Sequence, residues 1–283
     1  MASGSVTPLI AGAFLLLAAL ATLYQWKFVP EWLGSAGLVT VLGTLAARGL
    51  YAGRWPLTNL YEFLLAFASA TVLAALSSER RIPPGSDGPV PNKEPDQPRG
   101  QNRPASAVAM VQTATFVLAA ALVLYARLGL PASYRALLPL PPALHSTWFP
   151  LHVGTAALAY GALALAGMAG GVYVLYPASR HLVPSLMDRA IAAGYPLLTC
   201  SILLGMIWAQ MVWGRYWGWD IKEVWTLGIW LVFTLYWHLR RHPRWRDSRL
   251  AWLAMIGLGM VFVALLGVGP LARAVGLTSL HLF

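Results

Sequence analysis

An all-α, polytopic integral membrane bundle with about eight transmembrane helices is the fold class this sequence predicts. Three observations predict it. With 58% hydrophobic and 11% charged side chains in 283 residues and a mean hydropathy of +0.61, the chain has too few polar groups to cover a water-soluble globule of its size. Its apolar runs are about twenty residues long, the length a helix needs to cross a hydrocarbon core of roughly 30 Å. They are not the short alternating segments of a barrel, so the spanning elements are helices, which satisfy their own backbone groups.

The spans fall near 8–26, 33–52, 58–78, 106–127, 150–176, 190–212, 222–239 and 250–269, as one membrane domain over 1–283. The first follows MASGSVTPLIAG, which lacks the basic segment of a cleaved leader, so its apolar run is expected as a helix. Between the third and fourth lies SSERRIPPGSDGPVPNKEPDQPRGQNRPASA (77–107), rich in Pro, Gly and charge, and 79–105 is expected to be a disordered cytoplasmic loop. The segment GLPASYRALLPLPPALHSTWF (129–149) is apolar and aromatic, and suits a structure lying along the interface over an outer site. The sixth span holds the sole cysteine, Cys200, which excludes an internal disulfide and CxxC thiol chemistry by this chain alone.

Charge sets the orientation, because Lys and Arg near helix ends concentrate on the cytoplasmic face. Placing RRHPRWRDSR (240–249) inside also puts Lys27, the basic residues of 79–105, Arg180 and Arg189 inside. Arg48, Arg54, Arg127, Arg135, Arg215, Lys222 and Arg273 then remain outside, with both termini and the 128–149 loop. This asymmetry accounts for most of the net charge of +10, so nucleic acid is not an expected partner.

The acidic residues narrow the search for chemistry. Most lie in or beside the inner loops, and only Glu62, Asp220 and Glu223 fall on the outer half. Carboxylates at a membrane boundary are costly unless paired or watered, which makes them site candidates. Asp220 and Glu223 also suit the N-terminus of the seventh helix, where negative charge is favoured, and the two roles are compatible. They sit in WGRYWGWDIKEVWTLGIW (213–230), with five tryptophans and one tyrosine. An interfacial belt explains one or two aromatic residues per helix end. It does not explain Trp213, Tyr216, Trp217 and Trp219 within seven positions, followed by Trp225 at helical spacing from Lys222 and Glu223. Packed aromatic faces make a platform for a large flat ligand, and Arg215 and Lys222 suit its anionic groups.

Haem is the planar cofactor to consider, since its iron takes axial imidazoles. His181 and His242 lie among arginines in inner loops. His152, in WFPLHVGTAALAYGAL, falls at the outer end of the fifth span, on the side of the tryptophans, and His281, in GLTSLHLF, is also outside. His145 lies in the loop seven residues before His152 and is an alternative second outer ligand. His238 lies eighteen residues beyond Asp220, roughly 27 Å along a helix, which assigns it to the inner leaflet as a packing residue or a second iron ligand.

The tryptophan segment resembles the WWD signature of haem-handling proteins, and specifically the CcsA (ResC) family of the System II route of cytochrome c biogenesis. Trp219, Asp220, Lys222, Glu223 and Trp225 follow that pattern, while Ile221 stands where Pro is usual and Arg215 where a small polar residue is common. WPLTNLYEFLLAF (55–67), STWFPLHV (146–153) and LYWH (235–238) are similar to three further family segments, so the likeness covers nearly the whole chain. The resemblance implies that haem b is the cargo, that His152 and a C-terminal histidine, here His281, ligate it outside, and that the aromatic segment 213–226 cradles it. It also implies that His238 belongs to an inner haem site whose second ligand comes from a CcsB (ResB)-like partner in the bacterial cytoplasmic membrane or an equivalent one. Asn59, Glu62 and Arg215 are candidate supporting residues.

The function implied is haem delivery within a cytochrome c haem lyase complex, where an apocytochrome presents Cys-x-x-Cys-His and its thiols add to the haem vinyl groups. The chain would supply binding and orientation rather than a nucleophile. A System I type exporter that loads a chaperone, a transporter with an aromatic gate, and an assembly scaffold are the alternatives.

Overall fold

The structure is a computed structural model that describes residues 6–24, 29–79, 107–177 and 183–269. Each apolar run within them is a helix. In order these are α1 (Thr7–Leu23), α2 (Val29–Ala52), α3 (Leu60–Glu79), α4 (Ala107–Leu124), the single turn α5 (Ala132–Arg135), α6 (Trp148–Leu175), α7 (Val183–Trp213), α8 (Ile221–Arg240) and α9 (Asp247–Phe262). No strand occurs among the described residues. Both α4 and α9 continue into a π-helical turn, at Tyr125–Gly129 and Val263–Gly267.

This is a multi-pass membrane protein. Among the described residues, six helices are long and apolar enough to cross a membrane: α2, α3, α6, α7, and α4 and α9 with their π turns. The expected count of about eight therefore stands at six on those criteria. Helix α1 is short at 17 residues, and α8 carries Lys222, Glu223, His238 and Arg240 among its 20. The expected loop 79–105, together with Lys27, Arg180, His181, Arg273 and His281, lies at or beyond the edge of the described residues.

Helix α6 is the axis of the bundle, buried almost continuously from Ala157 to Tyr173, with α7 packed along it and α3, α4 and α9 around it. Lipid tails are as apolar as the helices, so no hydrophobic gain drives their association and close contact between small residues does. A Cβ added at Gly161 would stand 2.5 Å from the Ala70 carbonyl carbon, and one at Gly194 would stand 3.1 Å from the Ala159 carbonyl oxygen. These two contacts bring α3 and α7 against α6.

The remaining helices flank this axis. Helices α1, α2 and α4 pack on one another beside α3, while α8 leans mainly on α9 and buries only Ile229, Phe233 and Tyr236. Helix α7 begins at Val183, seven residues before the expected start near 190. Asp188 and Arg189 read as loop in the sequence, yet Val183, Leu186, Met187, Ala190 and Ile191 are buried at helical spacing and extend its apolar face. Asp188 accepts hydrogen bonds from the Tyr236 hydroxyl at 2.7 Å and Arg240 Nε at 2.9 Å, tying α7 to α8 at the end of the bundle remote from the tryptophans.

Candidate functional site

Successive helices alternate in direction, so the ends of α2, α4, α7 and α9 meet the starts of α3, α6 and α8 at one end of the bundle. A cavity of about 530 Å³ lies there, within the range of small-molecule sites. His152 and Phe149 from α6, Gly205 and Trp208 from α7, and Tyr216, Trp217, Lys222 and Glu223 from the α7–α8 junction line it. Thr58 and Asn59 before α3, Leu130, Pro131 and Tyr134 after α4, and Ala264 to Leu266 of the second π turn close the remaining sides. Both π turns face this cavity, through Tyr125 and Ala264, and such turns recur at functional sites.

His152 is held on two sides. Its Nδ1 lies 2.7 Å from the Ser201 carbonyl oxygen, which makes Nδ1 the protonated nitrogen and Nε2 the one with ligand character. Metal-ligating histidines are fixed in the same way, by donating the other ring N–H to a carbonyl. The ring stacks on Trp208 with centroids 6.2 Å apart and planes 13° apart. Trp208 is itself 1% exposed and donates from Nε1 to the Ala143 carbonyl at 2.9 Å, which fastens the 129–149 loop over this corner. Gly205 leaves the ring its place, because an added Cβ would stand 2.8 Å from both Cε1 and Nδ1.

The tryptophan loop is shaped by the helix it precedes. Asp220 is the N-cap of α8 and accepts from the Lys222 N–H at 2.9 Å, in a capping box with Glu223. Glu223 Oε2 accepts from the N–H groups of Gly218 at 2.8 Å and Asp220 at 3.1 Å, so one carboxylate gathers both strands of the turn. Gly214 and Trp219 adopt positive φ, 70° and 56°. A bulky residue in that region is strained, and Trp219 is also 72% exposed, edge-on to Trp217 at 6.0 Å.

Of the residues singled out from the sequence, Asn59, His152, Tyr216, Trp217, Lys222 and Glu223 line the cavity. The others take different places. Trp213 packs edge-on against Trp208 at 4.8 Å, Trp225 donates from Nε1 to the Met260 carbonyl at 2.8 Å and faces α9, and Arg215 lies against Gly218. Glu62 is fully buried in an ion centre: Arg48 donates to Oε1, while Arg54 and the Thr58 N–H donate to Oε2. Asn59 caps α3 by accepting from the Glu62 N–H at 2.9 Å. His145 is exposed in its loop near the Leu140 carbonyl, and His281 lies outside the described residues. His238 is exposed at the far end of α8, its Nδ1 2.8 Å from the Thr234 carbonyl oxygen.

A second cavity, about 560 Å³ and nearly all apolar, opens nearer that far end between α1, α4, α6 and α9. The rings of Phe63, Tyr160, Phe67 and Phe262 run between the two cavities, each about 6 Å from the next. Trp208, Gly205, Ser201 and Tyr160 were not among the sequence candidates. Trp208 at the edge of the tryptophan cluster was the only visible signal among them.

Residues 97–274 match the model of the cytochrome C assembly protein family. The chain is 31% identical to the cytochrome c biogenesis protein CcsA of Synechococcus elongatus, over 85% of each chain. It belongs to the CcsA family of cytochrome c assembly proteins. Other CcsA relatives agree: that of Parasynechococcus marenigrum is 30% identical over 97% of this chain and 95% of its own, and that of Guillardia theta 27% identical over 83% and 80%. Among solved structures, the cytochrome c haem lyase CcmF has a similar fold, with a TM-score of 0.67 over 95% of this chain at 16% identity. The chain spans 48% of CcmF, so what CcmF shares with this CcsA-family chain is the bundle.

Proposed function

We propose that this protein, assigned by its family to cytochrome c maturation, binds haem in the cavity beneath the tryptophan loop and presents it to an apocytochrome. The observation that carries the reading is His152, whose tautomer and ring plane are set by Ser201 and Trp208 at the wall of an aromatic cavity of suitable size. Haem is the cargo here and is written as substrate. Trp208 and Phe149 exclude water from one side of it, and Trp217 and Tyr216 flank the open side, through which a Cys-x-x-Cys-His segment has access. The thioether bonds form by addition of each thiol across a vinyl group, sulfur to one carbon and proton to the other. The chain's part is to hold the iron, orient the ring and yield the axial position to the incoming histidine.

His281 as second outer ligand belongs to the same proposal. So does an inner site at His238, which has the same Nδ1–carbonyl anchoring and sits exposed on α8, a helix that buries only Ile229, Phe233 and Tyr236. That exposure favours a ligand from a second protein, a CcsB (ResB)-like subunit in the bacterial cytoplasmic membrane, with both termini of this chain on the external side. The test is the visible spectrum of the purified protein, co-expressed with such a partner, beside His152→Ala. A low-spin haem spectrum lost or altered in His152→Ala supports the outer site. A colourless, well-folded complex refutes haem handling and returns the tryptophans to an interfacial belt.

A further inference from the structure

The second cavity, nearer the end of the bundle remote from the tryptophans, takes no part in the function proposed above. Its walls come mainly from one face each of three helices that are long and apolar enough to span. Met168, Gly171 and Leu175 of α6 and Met255, Gly259 and Phe262 of α9 recur at helical spacing, with Met110 of α4 facing them. Stripes of this kind normally pack on one another. Here they surround about 560 Å³ of space.

Two glycines set this space apart from a packing defect. Where α6 and α9 touch, glycine is required: a Cβ on Gly167 would stand 2.6 Å from Leu258 Cβ, and one on Gly170 would stand 2.7 Å from the Ala251 carbonyl oxygen. Gly171 and Gly259 lie on the same two helices and line the cavity, yet a Cβ on either would meet nothing within 4 Å. Alanine at both positions would favour the helices without a clash, so packing within the chain gives no reason for glycine there. What the missing side chains preserve is room. An empty void of this size forfeits dispersion contacts along its walls, and an apolar one stays free of water.

The walls define the occupant. Among the described residues no histidine, lysine, arginine or acidic residue lines the cavity, so haem would find no imidazole there and would bury its carboxylates unpaired. An uncharged flexible chain fits better, because methionines from three helices adapt their shape to such a ligand. Gly259 is exposed about midway along the span Asp247–Gly267, which makes the cavity continuous with the bilayer interior. From Gly167 to Leu175 the cavity follows about 12 Å of α6, close to one leaflet's half of a roughly 30 Å hydrocarbon core.

We propose that this cavity is a lipid site, which holds one acyl chain of a membrane phospholipid between α4, α6 and α9 with the headgroup at the end remote from the tryptophans. The chain supplies the packing that Gly171 and Gly259 withhold. The rings of Phe262, Phe67 and Tyr160 stand between it and the outer cavity, and the proposal does not depend on the haem reading.

The full chain, purified with any co-purifying partner in a sterol-based detergent that has no flexible tail to enter the cavity, is stripped of lipid and titrated with dioleoyl phosphatidylcholine under native mass spectrometry. One lipid is expected to bind at least about tenfold more tightly than the next. A phosphatidylcholine carrying a diazirine in its chain should label the unmutated protein around Met168 and Met255. Gly171→Leu combined with Gly259→Leu fills the cavity and should remove the tight step while the protein unfolds at or above the parent's midpoint. A ladder of equally weak lipids on the parent overturns the proposal without any variant. Labelling confined to other helices overturns it too, as does a tight step that survives in the folded double variant, since the lipid then lies elsewhere.

Discussion

Replacing Gly205 by alanine puts the smallest possible obstacle into the site. The new Cβ would stand 2.8 Å from Cε1 and Nδ1 of His152 and 3.4 Å from Nε2. Two of the three distances are shorter than real side chains tolerate, so the ring or the helix must move. The ring has little room to yield, with Trp208 stacked on it and Nδ1 bonded to the Ser201 carbonyl at 2.7 Å. Overpacking of this kind costs about 1–3 kcal/mol, and a lost hydrogen bond adds about 0.5–1.5 kcal/mol. Alanine recovers about 1 kcal/mol in a helix interior. The net expectation is a loss of about 0.5–3.5 kcal/mol, with a changed haem spectrum because Nε2 is displaced. Thermal unfolding in detergent and absorbance of the same sample check both. A Gly205→Ala protein more stable than its parent, with an unaltered spectrum, refutes the view that Gly205 exists to seat His152.

Three other perturbations follow from the same geometry. Glu62→Gln leaves two buried guanidiniums without their carboxylate and is expected to cost about 3–5 kcal/mol in unfolding midpoint assays, while removing Arg48 and Glu62 together costs less than the sum. Glu223→Ala removes the capping-box carboxylate and should cost about 0.5–2 kcal/mol, with faster hydrogen exchange at the Gly218 and Asp220 amides; unchanged exchange would exclude its hold on the loop. Trp219→Gly relieves a left-handed residue worth about 1–2 kcal/mol, so the protein should be no less stable while its haem retention falls; normal retention would remove Trp219 from the site.

Helix positions were legible because apolar runs of membrane length admit one backbone solution, and His152 because histidine is rare in such a run. Where the reading fell short, the missing information was non-local or polar. The start of α7 hid behind Asp188 and Arg189, whose charge masked the buried stripe from Val183 to Ile191. Spacing along α8 grouped Trp225 with Lys222 and Glu223, but which face an indole takes depends on the neighbour, and Trp225 turns to Met260 on α9. Three outward carboxylates were visible in the sequence, while the partners of Glu62 lie on α2 and the following loop, 14 and 8 residues away. The seat of His152 is contributed by Ser201, 49 residues on, and no local pattern encodes that contact.

That seat has a consequence for reading mutants. Where α6 and α7 pass closest to the cavity, an imidazole fills the space vacated by Gly205, so the ring acts as a gauge block whose thickness sets the gap between two helices. Changing His152 alters the spacing as well as the nitrogen. An inactive His152 variant is therefore ambiguous by itself, whereas a smaller residue there, supplied with free imidazole to refill the slot, separates the mechanical duty of the ring from its chemical one.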